Sequence, residues 1–339
     1  MLRLYTPIEH DIFTLHTLLE KVVCEVWCTA CNDSCDSKLE QAFKDIYLYT
    51  YNGNPLKDEV ERIYEIFKGL TPAVRTQVSE AFKTNNDIES LCNGITPVYL
   101  QALPDVVKDN IKPLFKWSYE TLLENKLVAG DKMDYYNQLI IKNDFNTCPC
   151  CGLIDFEPAN SIRREAYDHY LPKATYPFTS VNFKNLIPLC YKCNSDRKST
   201  KDPIENDRIS FYPFSTADHN IEIKLNYTAD IDDDTKGLNF NDLEIILAGE
   251  TDKIETWNWL FDIKDRYGDT VRRFTLTFLK KIARRHQIFL KSNEDWTYEN
   301  TLNQLIEDYE FDYYEDKKFL KIAFLKAIKN DAELMEVYK

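Results

Sequence analysis

Cys148-Pro149-Cys150-Cys151-Gly152 and Cys190-Tyr191-Lys192-Cys193-Asn194 are the stretches on which the reading of this chain turns. Each holds a C-x2-C pair, and together they supply four thiolates, the number a closed tetrahedral zinc site needs. Between the pairs run Asp168-His169-Tyr170-Leu171-Pro172-Lys173 and Asn185-Leu186-Ile187-Pro188-Leu189. A carboxylate, an imidazole and two carboxamides (Asn185 and Asn194) thus lie between or just after the knuckles. These are the parts of a one-metal phosphodiesterase.

Around this centre the pattern is that of a compact strand–loop–strand–helix unit. One strand ends near His169, a second runs through Leu186 to Leu189, and a helix starts at about Tyr191. Asp168 and His169, as strand neighbours, point to opposite faces unless the strand ends or bends, and Pro172 is placed to enforce that. Zinc at Cys148, Cys151, Cys190 and Cys193 would contribute folding free energy to loops with little core of their own. Cys150 is the spare thiol and is assigned to packing or surface.

The stretch from Cys148 to Lys198 resembles the HNH endonuclease family, whose ββα-metal core is often clamped by zinc. The family's letters fall on His169, Asn185 and Asn194, the last standing where many members carry a second His. More loosely, the whole chain looks like the HNH components of bacterial anti-phage systems such as Septu and certain retrons, on the phrase Asp168 to Lys173 and on Phe211-Tyr212-Pro213-Phe214. The resemblance implies that Asp168 binds a divalent metal while His169 takes a proton from the attacking water. A neutral imidazole at cytoplasmic pH suits that task. Asn185 would tie the loop and orient the His. Asn194 is either the second metal ligand or a helix N-cap, for which Asn is equally apt. An amide oxygen beside a carboxylate makes a hard site that favours Mg²⁺ or Mn²⁺. Lys198, four residues after Asn194, is expected at the substrate phosphate, with Lys173 and Arg197 as further candidates; a solvated lysine is the plain alternative.

At 339 residues the chain exceeds one average domain. The expected organisation is α+β: a helical region over 1–142, the nuclease core over 143–215, and short strands followed by helices over 216–339. Expected helices include Leu114 to Leu127, Met133 to Ile141, Ile254 to Leu290 and Lys317 to Met335. Expected strands beyond the core are Ile209 to Tyr212, Ile221 to Leu225 and Leu243 to Leu247. There is no signal-peptide core and no membrane-length apolar run, and ten cysteines with metal-type spacing fit a reducing cytoplasm.

Charge opposes the nucleic-acid reading. A formal net charge of −14 disfavours phosphate, although acids crowd Asp230 to Asp234 and Glu307 to Asp316 while the core carries Arg163, Arg164, Lys173, Lys184, Lys192, Arg197, Lys198 and Lys201. The acids read first as a solvated surface. Cys24, Cys28, Cys31 and Cys35 resemble a second zinc set, but on one continuous helix the outer pair would be on the order of 16 Å apart, so a second zinc requires a break near Asn32-Asp33-Ser34. His10, His16, His219 and His286 read as ordinary polar residues. The basic stretch Arg272 to Arg285 reads as the wet side of an amphipathic helix.

The sequence therefore points to a cytoplasmic, metal-dependent HNH endonuclease acting on DNA, with structural Zn²⁺, catalytic Mg²⁺ or Mn²⁺, and a protein partner, an ATPase by resemblance. The rivals are a non-catalytic zinc module that binds nucleic acid or a partner, and an RNA-cleaving toxin.

Overall fold

A computed structural model describes residues 1–39, 49–125, 130–217, 219–232 and 237–337. The fold is α+β and mainly helical, with small two-stranded antiparallel sheets. The chain forms two compact units, one of residues 4–145 and 157–216, the other of residues 1–3, 146–156 and 217–339.

The first unit begins with α1 (Thr14–Lys21), which widens into a π-helical turn over Val22–Trp27. Leu15, Leu18 and Leu19 are buried, as their spacing requires. After a tight hairpin at Thr50–Pro55 come α2 (Leu56–Lys68) and α3 (Pro72–Asn86). Helix α2 buries Val60, Ile63, Tyr64 and Phe67. Thr71 accepts from the Val74 amide at 3.4 Å, and Pro72 at the first helical position lacks only an N–H that would have no helical partner. Helix α4 spans Asp105–Glu120, beginning before the expected Leu114 and ending before Leu127; the last residues of that segment lie outside the described residues. Helix α5 (Lys132–Asn143) is capped by Asp131, which accepts from Met133 N at 2.8 Å, and stops at Asp144 in the left-handed region.

Strands β1 (Ala166–His169) and β2 (Leu186–Leu189) pair antiparallel, Asp168 opposite Ile187 and His169 opposite Leu186. A helical segment of π type, Lys192–Lys198, follows. The loop between the strands is anchored in the helices by aromatic side chains. Phe178 packs against Phe82 of α3 at 5.1 Å and Phe115 of α4 at 5.6 Å between ring centres, and Phe183 meets Tyr135 of α5 at 5.0 Å. The helices thus fix the loop that joins the two strands. Ile209 to Tyr212 is not a strand. Its backbone is spent singly, Ser210 N on Cys92 O and Phe211 O on the Tyr170 hydroxyl, so no ladder forms.

In the second unit, β3 (Glu222–Asp232) and β4 (Gly237–Ala248) form a hairpin longer than expected, with a register shift at Thr228/Ala229. The expected Ile254 to Leu290 helix is two helices, α6 (Thr251–Phe261) and α7 (Ile263–Ser292), because Asp262 adopts φ 51 and breaks the ladder. Helix α8 (Tyr298–Glu310) was hidden by its acids, although Thr301, Leu302 and Leu305 are buried. The expected Lys317 to Met335 helix is α9 (Lys318–Lys329) and α10 (Ala332–Val337). Asp233 and Asp234 of the acidic run lie outside the described residues. Among the described residues, no helix is long and apolar enough to cross a membrane.

Candidate metal centre and active site

Each C-x2-C pair sits in a turn that folds back on its first cysteine. Gly152 N donates to Cys148 O at 2.7 Å, and Cys193 N and Asn194 N each donate to Cys190 O at 2.9 Å. The first turn requires glycine. Gly152 has φ +65, and a Cβ there would lie 2.5 Å from Leu2 and 2.8 Å from Phe319. Its outer peptide oxygens are also occupied: Trp257 Nε1 donates to Cys150 O at 3.1 Å and the Tyr267 hydroxyl to Cys151 O at 3.0 Å.

Cys148, Cys151, Cys190 and Cys193 are all buried, and their Sγ atoms lie within 4.8 Å of one another. Tetrahedral zinc–thiolate bonds of about 2.3 Å place sulfurs about 3.8 Å apart, so a small contraction suffices. The donor set fits a structural metal such as zinc. Cys150 is buried and stands outside this set.

The N-terminal cysteines behave differently. The helix carrying Cys24 ends at Cys28, and Cys35 opens a separate short helix. Cys31 is exposed and its Sγ lies 3.3 Å from Asp33 Oδ2. Burial pushes the Cys28 thiol up to about 12. Among the described residues these four sulfurs form no metal-type group.

In the β1–β2 hairpin, Asp168 is 4% exposed and His169 is half-buried. His169 Nε2 lies 3.0 Å from Ser180 O. A carbonyl only accepts, so Nε2 carries the proton there and Nδ1 is left as the basic nitrogen of the neutral ring. Burial pushes the imidazole down to about 3; the Ser180 bond opposes this, and Lys173 and Lys198 add to it. The ring of Tyr119, from α4, stands edge-on to His169 at 4.4 Å, and Lys173 Nζ sits 4.2 Å over the Tyr119 ring. Nothing in the sequence marks Tyr119 or the Ser180 carbonyl. Both approach His169 only through the fold.

Asn185 is fully buried and bonded on both sides of its amide. Its Oδ1 accepts from Leu171 N at 2.7 Å, and its Nδ2 donates to Leu171 O and to Thr179 Oγ1, each at 3.0 Å. Asn194 is half-buried near the start of the helical segment, and Arg197 is exposed.

Lys198 lies where the sequence did not place it. It is 1% exposed, and Nζ donates to His169 O at 2.8 Å and to Asp168 Oδ1 at 3.2 Å. Asp168 Oδ2 is 3.0 Å from the same ammonium but off the hydrogen-bonding angle, so it has an ion pair and no hydrogen bond. Burial raises the Asp168 carboxyl above its ordinary range, against the pull of Lys198. Asp168 Oδ2 is a hard oxygen without a hydrogen bond, and the Lys198 ammonium already stands against it.

No protein-family model matches the chain, and no solved structure matches it. Among curated proteins, protein ea31 of Escherichia phage lambda is 32% identical over 107 residues, which is 31% of this chain and 33% of that protein. Septu protein PtuB of Bacillus thuringiensis is 44% identical over 78 residues, 22% of this chain and 29% of that protein. The chain spans about a third of the length of the curated relatives it matches, and part of it is similar to a Septu protein.

Proposed function

We propose that this chain is a metal-dependent HNH-type endonuclease that hydrolyses DNA phosphodiester bonds, the effector of a bacterial anti-phage defence system that works with an ATPase partner. The observation that carries this reading is His169. Its Nε2 is committed to Ser180 O, which leaves Nδ1 as the unprotonated nitrogen of the neutral ring, next to a buried carboxylate on the same strand.

In this reading His169 Nδ1 takes a proton from the attacking water. Asn185 holds Leu171 and Thr179, and so the chain just after His169, in one conformation. Asp168 and Asn194 would hold a Mg²⁺ or Mn²⁺ ion, whose chemistry is to neutralise charge on the leaving oxygen. Lys173 and the exposed Arg197 are the cations offered to substrate phosphate. The partial identity to Septu protein PtuB supports the defence assignment.

A second reading, a non-catalytic zinc module that binds nucleic acid, draws on the ammonium that already neutralises Asp168. A plasmid-nicking assay with and without Mg²⁺ or Mn²⁺ separates the two. Divalent-dependent nicking that disappears in His169→Ala supports the nuclease; binding without cleavage supports the module. Cleavage of tRNA in place of DNA would move the substrate to RNA.

A further inference from the structure

Between Thr270 and Asn293 the sequence holds seven arginines and lysines and no acid, in a chain of net charge −14. All seven stand on α7, which buries Val271, Thr275, Phe278, Leu279, Ile282 and His286. At about 100° per residue, Arg273, Lys280, Arg284 and Lys291 fall within about 20° of one line on the opposite side of the helix. All four are exposed. At about 1.5 Å per residue the row is about 27 Å long.

A solvated helix face does not require such a row. Helix α2 interleaves its cations with acids, pairing Lys57 with Glu61 at 3.6 Å, Arg62 with Glu59 at 2.7 Å and Lys68 with Glu65 at 2.9 Å. On α7 the neighbours four apart, Lys280 with Arg284 and Lys281 with Arg285, carry like charge, which destabilises a helix. Arg272 and Arg285 reach Asp269 and Asp308 only loosely, at 3.8 and 3.9 Å. Among the described residues, Arg273, Lys280, Arg284 and Lys291 have no ion pair. The wet side of α7 is therefore an uncompensated line of positive charge.

The make-up of the row selects its occupant. Unpaired cations in a straight line complement the closely spaced charges of a nucleic-acid backbone and gain by releasing its counterions. Single strands are held by aromatic rings on which bases stack, and no ring stands in this row, so a stiff duplex fits it better. Leu276 and Ile288 are 42% and 47% exposed beside the row, too little to give a protein partner an apolar centre.

We propose that the exposed side of α7 is a docking surface for duplex DNA, which it holds by phosphate without reading bases. The proposal rests on the reading of DNA as substrate and on none of the chemistry of the β1–β2 hairpin.

The test is binding of the full, zinc-loaded chain to a short fluorescein-labelled DNA duplex, read by anisotropy across a salt series without added Mg²⁺ or Mn²⁺. The combined variant Arg273→Gln, Lys280→Gln and Arg284→Gln changes only exposed side chains and keeps helix propensity. It is expected to bind at least about tenfold more weakly, with a salt slope shallower by about two to three, since each neutralised phosphate contributes about 0.9. The control Lys57→Gln, Lys68→Gln and Lys108→Gln changes the net charge equally and is expected to leave the slope unchanged. Equal losses in the two variants would reduce the effect to net charge and overturn the surface. An unchanged slope in the α7 variant, or no binding by the parent, overturns it as well. Tighter binding of a single strand or of duplex RNA would overturn the choice of duplex DNA. Displacement of the probe by poly-L-glutamate as readily as by unlabelled duplex at equal charge would assign the row to an acidic protein and also overturn it. Weaker binding confined to the α7 variant, together with no nicking by the parent in Mg²⁺ or Mn²⁺, would leave the docking surface standing and remove the nuclease reading.

Discussion

Asn185 holds both backbone groups of Leu171, accepting from its N–H at 2.7 Å and donating to its carbonyl at 3.0 Å. One side chain thereby closes the loop that begins directly after His169. Replacement by Ala would leave the Leu171 N–H, the Leu171 carbonyl and the Thr179 hydroxyl without this partner inside the protein. Each buried polar group left unsatisfied costs about 1–3 kcal/mol. Asn185→Ala is therefore expected to lose about 3 kcal/mol or more of stability in urea unfolding. Asn185→Asp keeps the acceptor for Leu171 N but loses both donors, so it should also be destabilised. A stability loss under about 0.5 kcal/mol for Ala would show that the loop does not depend on this amide.

The thiolate cluster makes a selective prediction about metal content. Elemental analysis of purified protein is expected to give one zinc per chain. Cys148→Ser or Cys190→Ser should lose it and unfold more easily, because binding of a structural metal contributes folding free energy. Cys150→Ala should keep it, since Cys150 is outside the cluster. Removing Cys24, Cys28, Cys31 and Cys35 together should also leave the zinc count unchanged. Two zinc ions per chain would contradict the separation of the N-terminal sulfurs.

For catalysis, His169→Ala is expected to lower divalent-dependent cleavage by about 10²–10⁴-fold with zinc content unchanged. Tyr119→Ala should cost roughly tenfold to a hundredfold by loosening the imidazole, whereas Tyr119→Phe keeps the edge-on ring and most of the rate. Equal rates for Tyr119→Ala and the parent would remove α4 from the site.

A pH effect follows from His16. Its ring stacks on Phe82 at 5.7 Å, and its Nδ1 is buried without a hydrogen-bond partner among the described residues. Burial, aided by Lys184, lowers it to about 4. Between about 6.5 and 4 the unfolded chain binds a proton at this position that the folded chain refuses, so stability falls as pH falls through that window. His169 acts in the same direction. His16→Phe keeps the stacked ring and removes one proton site. Its stability relative to the parent should rise as pH drops from 7 to 5 in urea titrations, and a pH-independent difference would count against the buried neutral imidazole.

The strand–loop–strand–helix unit was legible because its signals are local: the apolar run Leu186 to Leu189, a proline shortly after His169 and paired C-x2-C turns. The thiolate cluster was legible because spacing alone limits what two such turns can do. The burial of Lys198 was not legible because a position on a helix does not reveal which way a long side chain goes once Asp168 is buried beside it. Tyr119 was missed because its partner lies fifty residues away and only the aromatic packing of Phe178 and Phe183 brings the loop to α4 and α5. The break at Asp262 was invisible for another reason. A non-glycine residue with positive φ is rare, and no neighbouring Gly or Pro announces it.

The bond from the Trp257 indole to the Cys150 carbonyl gives the first cysteine turn a built-in optical reporter. Trp257 is 2% exposed, so its emission should be blue-shifted while the turn is closed. Opening that turn with a chelator frees the indole N–H and admits water around the ring. Its fluorescence should then move to longer wavelength in step with zinc release, and Trp257→Phe should remove most of that change. Metal loading can thus be followed in real time, without nucleic acid and without added dye.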